Sequence, residues 1–99
     1  MRVTKLNSTD HPTSLQGYID TTYDELVEVF GQPTYGPDAQ EDKITCEWVV
    51  DIGGTVCTIY DYKTRSTPYG DYSWHIGGRG ESSAHLVKWA IENKGVLIK

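Results

Sequence analysis

Residues 74–83 read Trp-His-Ile-Gly-Gly-Arg-Gly-Glu-Ser-Ser and combine the residue types that bind an anion. A short aromatic strand leads into a glycine-rich turn, which opens directly onto a helical pattern. Such a junction exposes backbone N–H groups at a helix N-terminus, where the helix dipole favours an anion. Arg79 adds a planar guanidinium that binds phosphate or carboxylate with two parallel hydrogen bonds. The stretch therefore predicts an anion or nucleotide-phosphate cradle made of Gly78, Arg79, Gly80, Ser82 and Ser83.

The same turn also has a purely structural interpretation. Its glycines would supply positive φ angles, and one of its serines would cap the following helix. The turn matches neither G-x-G-x-x-G nor the P-loop with its lysine, and Glu81 would repel a phosphate. Both interpretations stay open from the sequence.

A second group of residues predicts a binding surface on a β-sheet. His75 should project from the same sheet face as Tyr60, Tyr62 and Glu47. Such a polar aromatic patch can stack a base or hold a partner. Alternatively, these side chains only shield the outer face of the sheet, with His75 bonded to Glu47 or to a tyrosine hydroxyl. Trp74, on the same strand, is counted with the candidate ligand-binding residues.

Metal and catalytic chemistry find little support in the sequence. The histidines and cysteines lack the usual metal-ligand spacing; they are His11, His75, His85, Cys46 and Cys57. Asp61 and His75 should point to opposite faces of the sheet and so form no acid–base pair. We predict no metal, no cofactor and no catalytic residue.

Composition narrows the class of protein. The chain has 99 residues, which suits a single domain over 1–99. Its net charge of -5 and its lack of a basic stripe argue against nucleic-acid binding. Its aromatic residues are seven Tyr, three Trp and one Phe, and Tyr and Trp suit interfaces. The sequence contains no apolar run of the kind that predicts a signal peptide or a membrane span, so we expect a cytoplasmic protein.

The first helix is marked at both ends. Thr22 and Glu25 have the spacing of a capping box, and Gly31 followed by Pro33 ends the helix. Between these signals one helical face is apolar; its members are Tyr23, Leu26, Val27 and Phe30.

A β-hairpin follows a loop over 32–42. Apolar and polar residues alternate over 43–52, Gly53-Gly54 is a two-residue hairpin signal, and the return strand covers 55–62. This register pairs Ile52 with Thr55, Val50 with Cys57 and Trp48 with Ile59. It leaves Cys46 and Cys57 about 13 Å apart along the strands, too far for a disulfide. We expect two free thiols, which fits a reducing compartment.

The remaining pattern completes a sheet and a second helix. Tyr72–Ile76 predicts a third strand, and the helix after the glycine turn has an apolar stripe with Leu86 or Trp89 at its edge; the stripe is Ala84, Val87, Ala90 and Ile91. Short strands are expected at Arg2–Leu6 and Val96–Ile98, with extended chain over Ser14–Ile19. The predicted fold is α+β: an antiparallel sheet of four to five strands with two helices on one face.

Two resemblances follow from these motifs. The helix ending in Gly-x-Pro, the tryptophan-bearing hairpin and the third strand resemble BLIP-like and BamE-like α/β modules over about residues 21–76. Motifs across most of the chain are similar to those of small accessory proteins encoded by tailed phages and prophages; they are Tyr23-Asp24-Glu25-Leu26-Val27, Phe30-Gly31-x-Pro33, Thr45-x-Glu47-Trp48, the run from Thr58 to Lys63, and Trp74-His75-Ile76-Gly77-Gly78. The second resemblance implies a phage origin, and such proteins commonly inhibit host enzymes or defence systems.

We therefore expect a non-enzymatic phage protein that inhibits a host defence function in the host cytoplasm, as a homo-oligomer. It would sequester a small anionic or nucleotide ligand, or block a host protein. Two alternatives stay open. One is a small nucleotide-processing enzyme that uses His75 with a nearby carboxylate, and the other is a structural or accessory phage component.

Overall fold

The computed structural model describes residues 2–8, 13–39 and 43–94. Seven elements follow one another along the chain: β1 (Val3–Lys5), β2 (Ser14–Thr21), α1 (Tyr23–Phe30), β3 (Glu47–Ile52), β4 (Thr55–Tyr60), β5 (Tyr72–Gly78) and α2 (Ser82–Glu92). The strands form one antiparallel sheet in the order β1-β3-β4-β5-β2. The predicted α+β class, with a sheet of four to five strands and two helices, is confirmed.

Helix α1 begins and ends where the sequence signals predict. The Thr22 hydroxyl accepts a hydrogen bond from the Glu25 N–H at 3.2 Å. The Glu25 carboxylate accepts from the Thr21 hydroxyl, so the box closes one residue earlier than the standard pattern. Gly31, at φ +83°, ends the helix. The buried face is close to the predicted stripe, with Val29 in place of the half-buried Val27; it consists of Tyr23, Leu26, Val29 and Phe30.

The β3–β4 hairpin has the predicted register, because the Gly53-Gly54 turn fixes it. Ile52 lies opposite Thr55, and Trp48 lies opposite Ile59. Both glycines have positive φ angles, 59° and 94°, which a two-residue hairpin turn requires. Cys46 and Cys57 are free, as expected, and both are fully buried.

The outer ends of this hairpin are shorter than predicted. β3 begins at Glu47 rather than at residue 43, and β4 ends at Tyr60 rather than at residue 62. The Asp61 carboxylate accepts hydrogen bonds from the N–H groups of Thr45 (2.8 Å) and Cys46 (3.1 Å). The Asp61 side chain therefore binds the Cys46 N–H, the donor that a longer β3–β4 ladder would have used.

The glycines after Ile76 belong to a strand rather than to a turn. β5 continues to Gly78, with Gly77 opposite Thr58 and Gly78 opposite Cys57. Neither glycine has a positive φ, nor does Gly80, so that expectation was wrong. The serine cap was also wrong, because Glu81 holds the cap position of α2 and its side chain makes no capping bond.

The two N-terminal strands lie at opposite edges of the sheet. β1 pairs with β3, and β2 pairs with β5. A β-bulge at Gln16, between the paired residues Leu15 and Gly17, shifts the register of β2. The predicted C-terminal strand, Val96–Ile98, lies outside the described residues.

One hydrophobic core joins the inner face of the sheet to both helices. The largest fully buried side chains are Trp48 and Trp74, whose rings meet at 5.5 Å in an edge-to-face arrangement. The longer described helix has 11 residues, and no helix in the described part of the chain is long and apolar enough to span a bilayer.

Candidate functional site

The side of the sheet opposite the helices, which we call the outer face, carries a row of polar and aromatic side chains. The register places Glu47 opposite Tyr60, Tyr60 opposite His75, and His75 opposite Tyr18. Directly opposed residues of neighbouring strands share one face and lie in contact. These four residues, the outer row, therefore cross four strands side by side.

The rings of the outer row meet around His75. Its ring centroid lies 4.8 Å from Tyr18 and 5.3 Å from Tyr60. Tyr62, which follows β4, adds a third ring at 5.6 Å. The predicted grouping of His75 with Tyr60, Tyr62 and Glu47 on one face is confirmed, and Tyr18 is an addition to it.

Part of the outer face is exposed to solvent, and part of it is covered by neighbouring chain. Four large hydrophobic side chains in the described residues are strongly exposed; they are Leu15 (48%), Tyr18 (44%), Tyr62 (40%) and Tyr69 (51%). Leu15 lies opposite Gly77 and Tyr18 opposite His75, so both belong to the outer face, where Tyr62 also lies. Val49 and Thr58 on the same face are buried, and Thr13 lies 3.5 Å from Thr58. The accessible surface is thus the outer row and its margins.

Glu47 is the acidic end of the row. Burial raises the pKa of its carboxyl group to about 7, because the charged form loses solvation. Within residues 2–8, 13–39 and 43–94 the carboxylate forms no hydrogen bond and no ion pair. The carboxyl group therefore changes charge near neutral pH without a counter-ion in the described chain.

His75 lies half-buried at the centre of the ring cluster. Burial lowers the pKa of its imidazole below the usual value, and a weaker attraction to Asp61 opposes this shift. Its Nδ1 atom is buried and has no hydrogen-bond partner. The expected bond from His75 to Glu47 or to a tyrosine hydroxyl is therefore not formed at this nitrogen.

Two lysines lie against the ring of Tyr62. The ammonium groups of Lys43 and Lys63 are 5.9 Å and 5.4 Å from the ring centroid, within cation–π range. Lys63 and Arg65 both adopt left-handed backbone conformations, with φ angles of 57° and 68°. Such conformations cost side-chain-bearing residues about 1 kcal/mol each, and they concentrate at functional loops.

The glycine turn is built differently from an anion cradle. The Gly78 carbonyl accepts from the Ser14 hydroxyl (3.4 Å) and from the Gln16 amide (3.2 Å), while both sides of Gly78 are paired in the sheet. Ser83 is buried against Gly78, and its N–H donates to the Gly80 carbonyl at 3.1 Å. Arg79 and Ser82 are exposed beside the acidic Glu81. The structure thus leaves Arg79 and Ser82 at the surface and turns Ser83 inward.

The predicted ligand-binding residues fall into three separate places. Tyr60, Tyr62 and His75 meet on the outer face. Arg79 lies four residues beyond His75 in sequence, about 13 Å at the rise of a strand. Trp74 is fully buried in the core, with its Nε1 unpartnered, so its side chain faces away from the outer row.

Metal binding and thiol chemistry have little support in the described residues. No group of three or more His, Cys, Asp and Glu side chains within residues 2–8, 13–39 and 43–94 has a metal-binding arrangement. Burial raises the pKa of the Cys46 thiol to about 12 and that of Cys57 to about 11, so neither is a reactive thiolate at neutral pH. His11 lies outside the described residues.

Sequence reasoning missed Tyr18 because the bulge at Gln16 shifts which residues of β2 face outward. Alternation counted from Leu15 does not allow for an extra residue. The lysines at Tyr62 were missed because one precedes β3 and the other follows β4, and they meet through a single backbone bond from the Lys63 N–H to the Lys43 carbonyl. Their only signal was a pair of lysines placed just beyond the ends of two pairing strands.

Comparison of the chain with family models, with curated proteins and with solved structures found no match. The site must therefore be interpreted from its own geometry.

Proposed function

We propose that this chain is a non-enzymatic binding protein that contacts a protein partner through its outer face. The observation that carries the proposal is the ring cluster of Tyr18, Tyr60 and Tyr62 around His75, with two of these tyrosines at least 40% exposed. Tyrosine is enriched at the centres of protein interfaces, where it buries a large area at low entropic cost.

A protein partner suits this surface better than a sequestered nucleotide. The anion site predicted at the glycine turn does not lie beside the rings, because Arg79 is separated from them and the Gly78 carbonyl already accepts two side-chain bonds. The exposed apolar residues are instead spread across the sheet, from Leu15 on β2 to Tyr62 beyond β4. Such a spread matches an extended contact.

The resemblance to small phage proteins suggests what the contact achieves. We propose that the partner is a host defence protein, that the chain is phage-encoded, and that binding in the host cytoplasm blocks the defence protein. An assembly of several copies belongs to the same proposal, and would repeat the outer face several times.

The test compares an outer-face variant with a variant of the glycine turn. Tagged wild-type protein, the double variant Tyr18→Ala/Tyr62→Ala and Arg79→Ala are expressed in a bacterial host that carries defence systems. Phage plating efficiency and co-purified host proteins are measured together. We expect wild-type and Arg79→Ala proteins to protect the phage and retain the same host protein, and the double variant to lose both effects.

Two results would contradict the proposal. Native mass spectrometry that finds a nucleotide-sized mass, lost in Arg79→Ala, would establish ligand sequestration instead. Protection that survives the double variant, with its fold verified by circular dichroism, would remove the outer face from the function.

A further inference from the structure

The unpaired carboxyl group of Glu47 defines what the outer row lacks. Glu47 is half-buried at the start of β3, and no described basic residue forms an ion pair with it. A partly desolvated carboxylate without a counter-ion is unfavourable, and it gains from any cation brought into its neighbourhood. The row thus contains one unsatisfied negative group.

The rings beside Glu47 suit a cation as well. A tyrosine ring attracts an ammonium or guanidinium group placed over its face, and Tyr60 lies directly opposite Glu47. The chain already uses this interaction twice at one ring, since Lys43 and Lys63 both contact Tyr62. These lysines do not approach Glu47 within ion-pair distance, so the Glu47 carboxylate stays unpaired within the described residues.

The charge of the whole chain agrees with this local arrangement. The net charge of -5 favours encounter with a partner that presents a basic surface. Arginine is also the charged residue most often found at energetic centres of interfaces, where its planar group stacks on aromatic rings.

We propose that the outer row receives one cationic side chain of the protein partner, an arginine or lysine, seated over Tyr60 between Glu47 and His75. This inference rests on the proposed function and names the chemistry that the partner supplies. An acidic side chain at the same position would instead face the Glu47 carboxylate.

The test uses N-acetyl-arginine amide as the probe, with N-acetyl-glutamine amide as a neutral control. NMR titrations follow the ring resonances of Tyr60 and His75 in wild-type protein, Glu47→Gln and the matched variant Glu81→Gln, which removes an exposed carboxylate away from the row. We expect saturable shifts with the arginine probe, about fivefold weaker binding in Glu47→Gln and unchanged binding in Glu81→Gln.

The inference is overturned if the arginine probe gives no saturable shift, or if Glu47→Gln binds it as wild-type protein does. The co-purification of host protein described above tests this inference separately from the proposed function. Retention of the host protein by Glu47→Gln, together with its loss in Tyr18→Ala/Tyr62→Ala, would uphold the outer face and reject the cation. Loss of retention in both variants would support the two proposals together.

Discussion

Asp61 and Glu47, one fully buried and the other half-buried, show how differently single carboxyl groups can be used in this protein. Asp61 is fully buried and accepts hydrogen bonds from two backbone N–H groups and two threonine hydroxyls; its partners are Thr45, Cys46 and Thr64. Glu47 is half-buried and accepts none within the described chain. Because hydrogen bonds replace the lost solvation only at Asp61, the first carboxylate stabilises the fold and the second destabilises it.

Replacing Glu47 by glutamine should stabilise the protein in a pH-dependent way. In the unfolded chain the Glu47 carboxyl has its ordinary pKa of 4.5, and in the folded chain its pKa is about 7. Between these values only the unfolded chain releases its proton, so the free energy of unfolding of the wild type falls as pH rises from 4.5 to 7. Urea denaturation should show equal stability at pH 4 and a gain of about 1 kcal/mol for Glu47→Gln at pH 8, allowing for solvent screening.

The matched variant Glu81→Gln should show no such pH dependence, since its carboxyl is exposed. Equal stability of wild type and Glu47→Gln at pH 8 would show that the carboxylate is solvated or already paired. A half-buried residue that lowers stability is typical of binding sites.

Replacing Asp61 by asparagine should destabilise the protein strongly. The amide has one acceptor oxygen where the carboxylate has two, so buried donors of Thr45 or Thr64 lose their charged partner. Hydrogen bonds to a charged group contribute about 1.5–3 kcal/mol each, and we expect a loss of about 3 kcal/mol by urea denaturation. The exposed Asp71→Asn is the control, and a loss below about 1 kcal/mol would contradict the role given to Asp61.

At the scale of elements, the junction of β5 and α2 depends on how closely the helix approaches the strand. A Cβ atom built on Gly78 would overlap the Ser83 side chain, and one on Gly77 would overlap the Thr58 hydroxyl. A Cβ on Gly80 meets nothing within 4 Å. The first two glycines are thus required by close packing, and Gly80 is not.

Gly78→Ala should therefore cost about 2–3 kcal/mol of stability through overpacking, while Gly80→Ala should be nearly neutral. Adding Ser83→Gly to Gly78→Ala removes the atoms in conflict and should recover about half of the loss. Thermal denaturation of wild type, Gly78→Ala, Ser83→Gly and the double variant completes a double-mutant cycle. A loss from Gly80→Ala equal to that from Gly78→Ala would locate the constraint in the backbone instead.

The elements that the sequence predicts well are those defined by neighbouring residues. The cap of α1, the Gly53-Gly54 hairpin and its register all depend on contacts within a few positions, and all are confirmed. The ends of β3 and β4 were missed because the Asp61 side chain, 15 residues away, binds the Cys46 N–H that a longer ladder would use. That competition leaves no periodic signal.

The same distinction applies to the candidate site. Alternation along β3, β4 and β5 correctly places Glu47, Tyr60 and His75 on one face. The place of β2 beside β5, which brings Tyr18 to His75, rests on pairing between residues more than 50 positions apart. Trp74 was wrongly grouped with the surface residues, although the same alternation points it inward.

At the scale of the whole molecule, the sheet separates the core from the proposed binding surface. Its inner face builds one core with both helices, and its outer face leaves a row of rings and a carboxyl group accessible. Substitutions on the outer row can therefore change binding while the core is preserved. This separation makes the proposed interface testable without unfolding the protein.

The two buried thiols can report on the cooperativity of the whole fold. Cys46 and Cys57 are inaccessible, and burial raises the pKa of each thiol, to about 12 and about 11. Both belong to the single hydrophobic core. Native protein at pH 8 should react with Ellman's reagent only through global unfolding, so both thiols should react at one rate with one urea dependence.

In Asp61→Asn, the Cys46 thiol should react faster than the Cys57 thiol. Asp61 accepts a hydrogen bond from the Cys46 N–H, whereas Cys57 lies within β4 and does not depend on Asp61. The Asp71→Asn control should keep the two rates equal. Faster reaction of Cys46 already in the wild type would show that the turn over 43–46 opens independently of the core. In that case the start of β3, and with it the position of Glu47 in the outer row, would be set by a local equilibrium rather than by the stability of the whole fold.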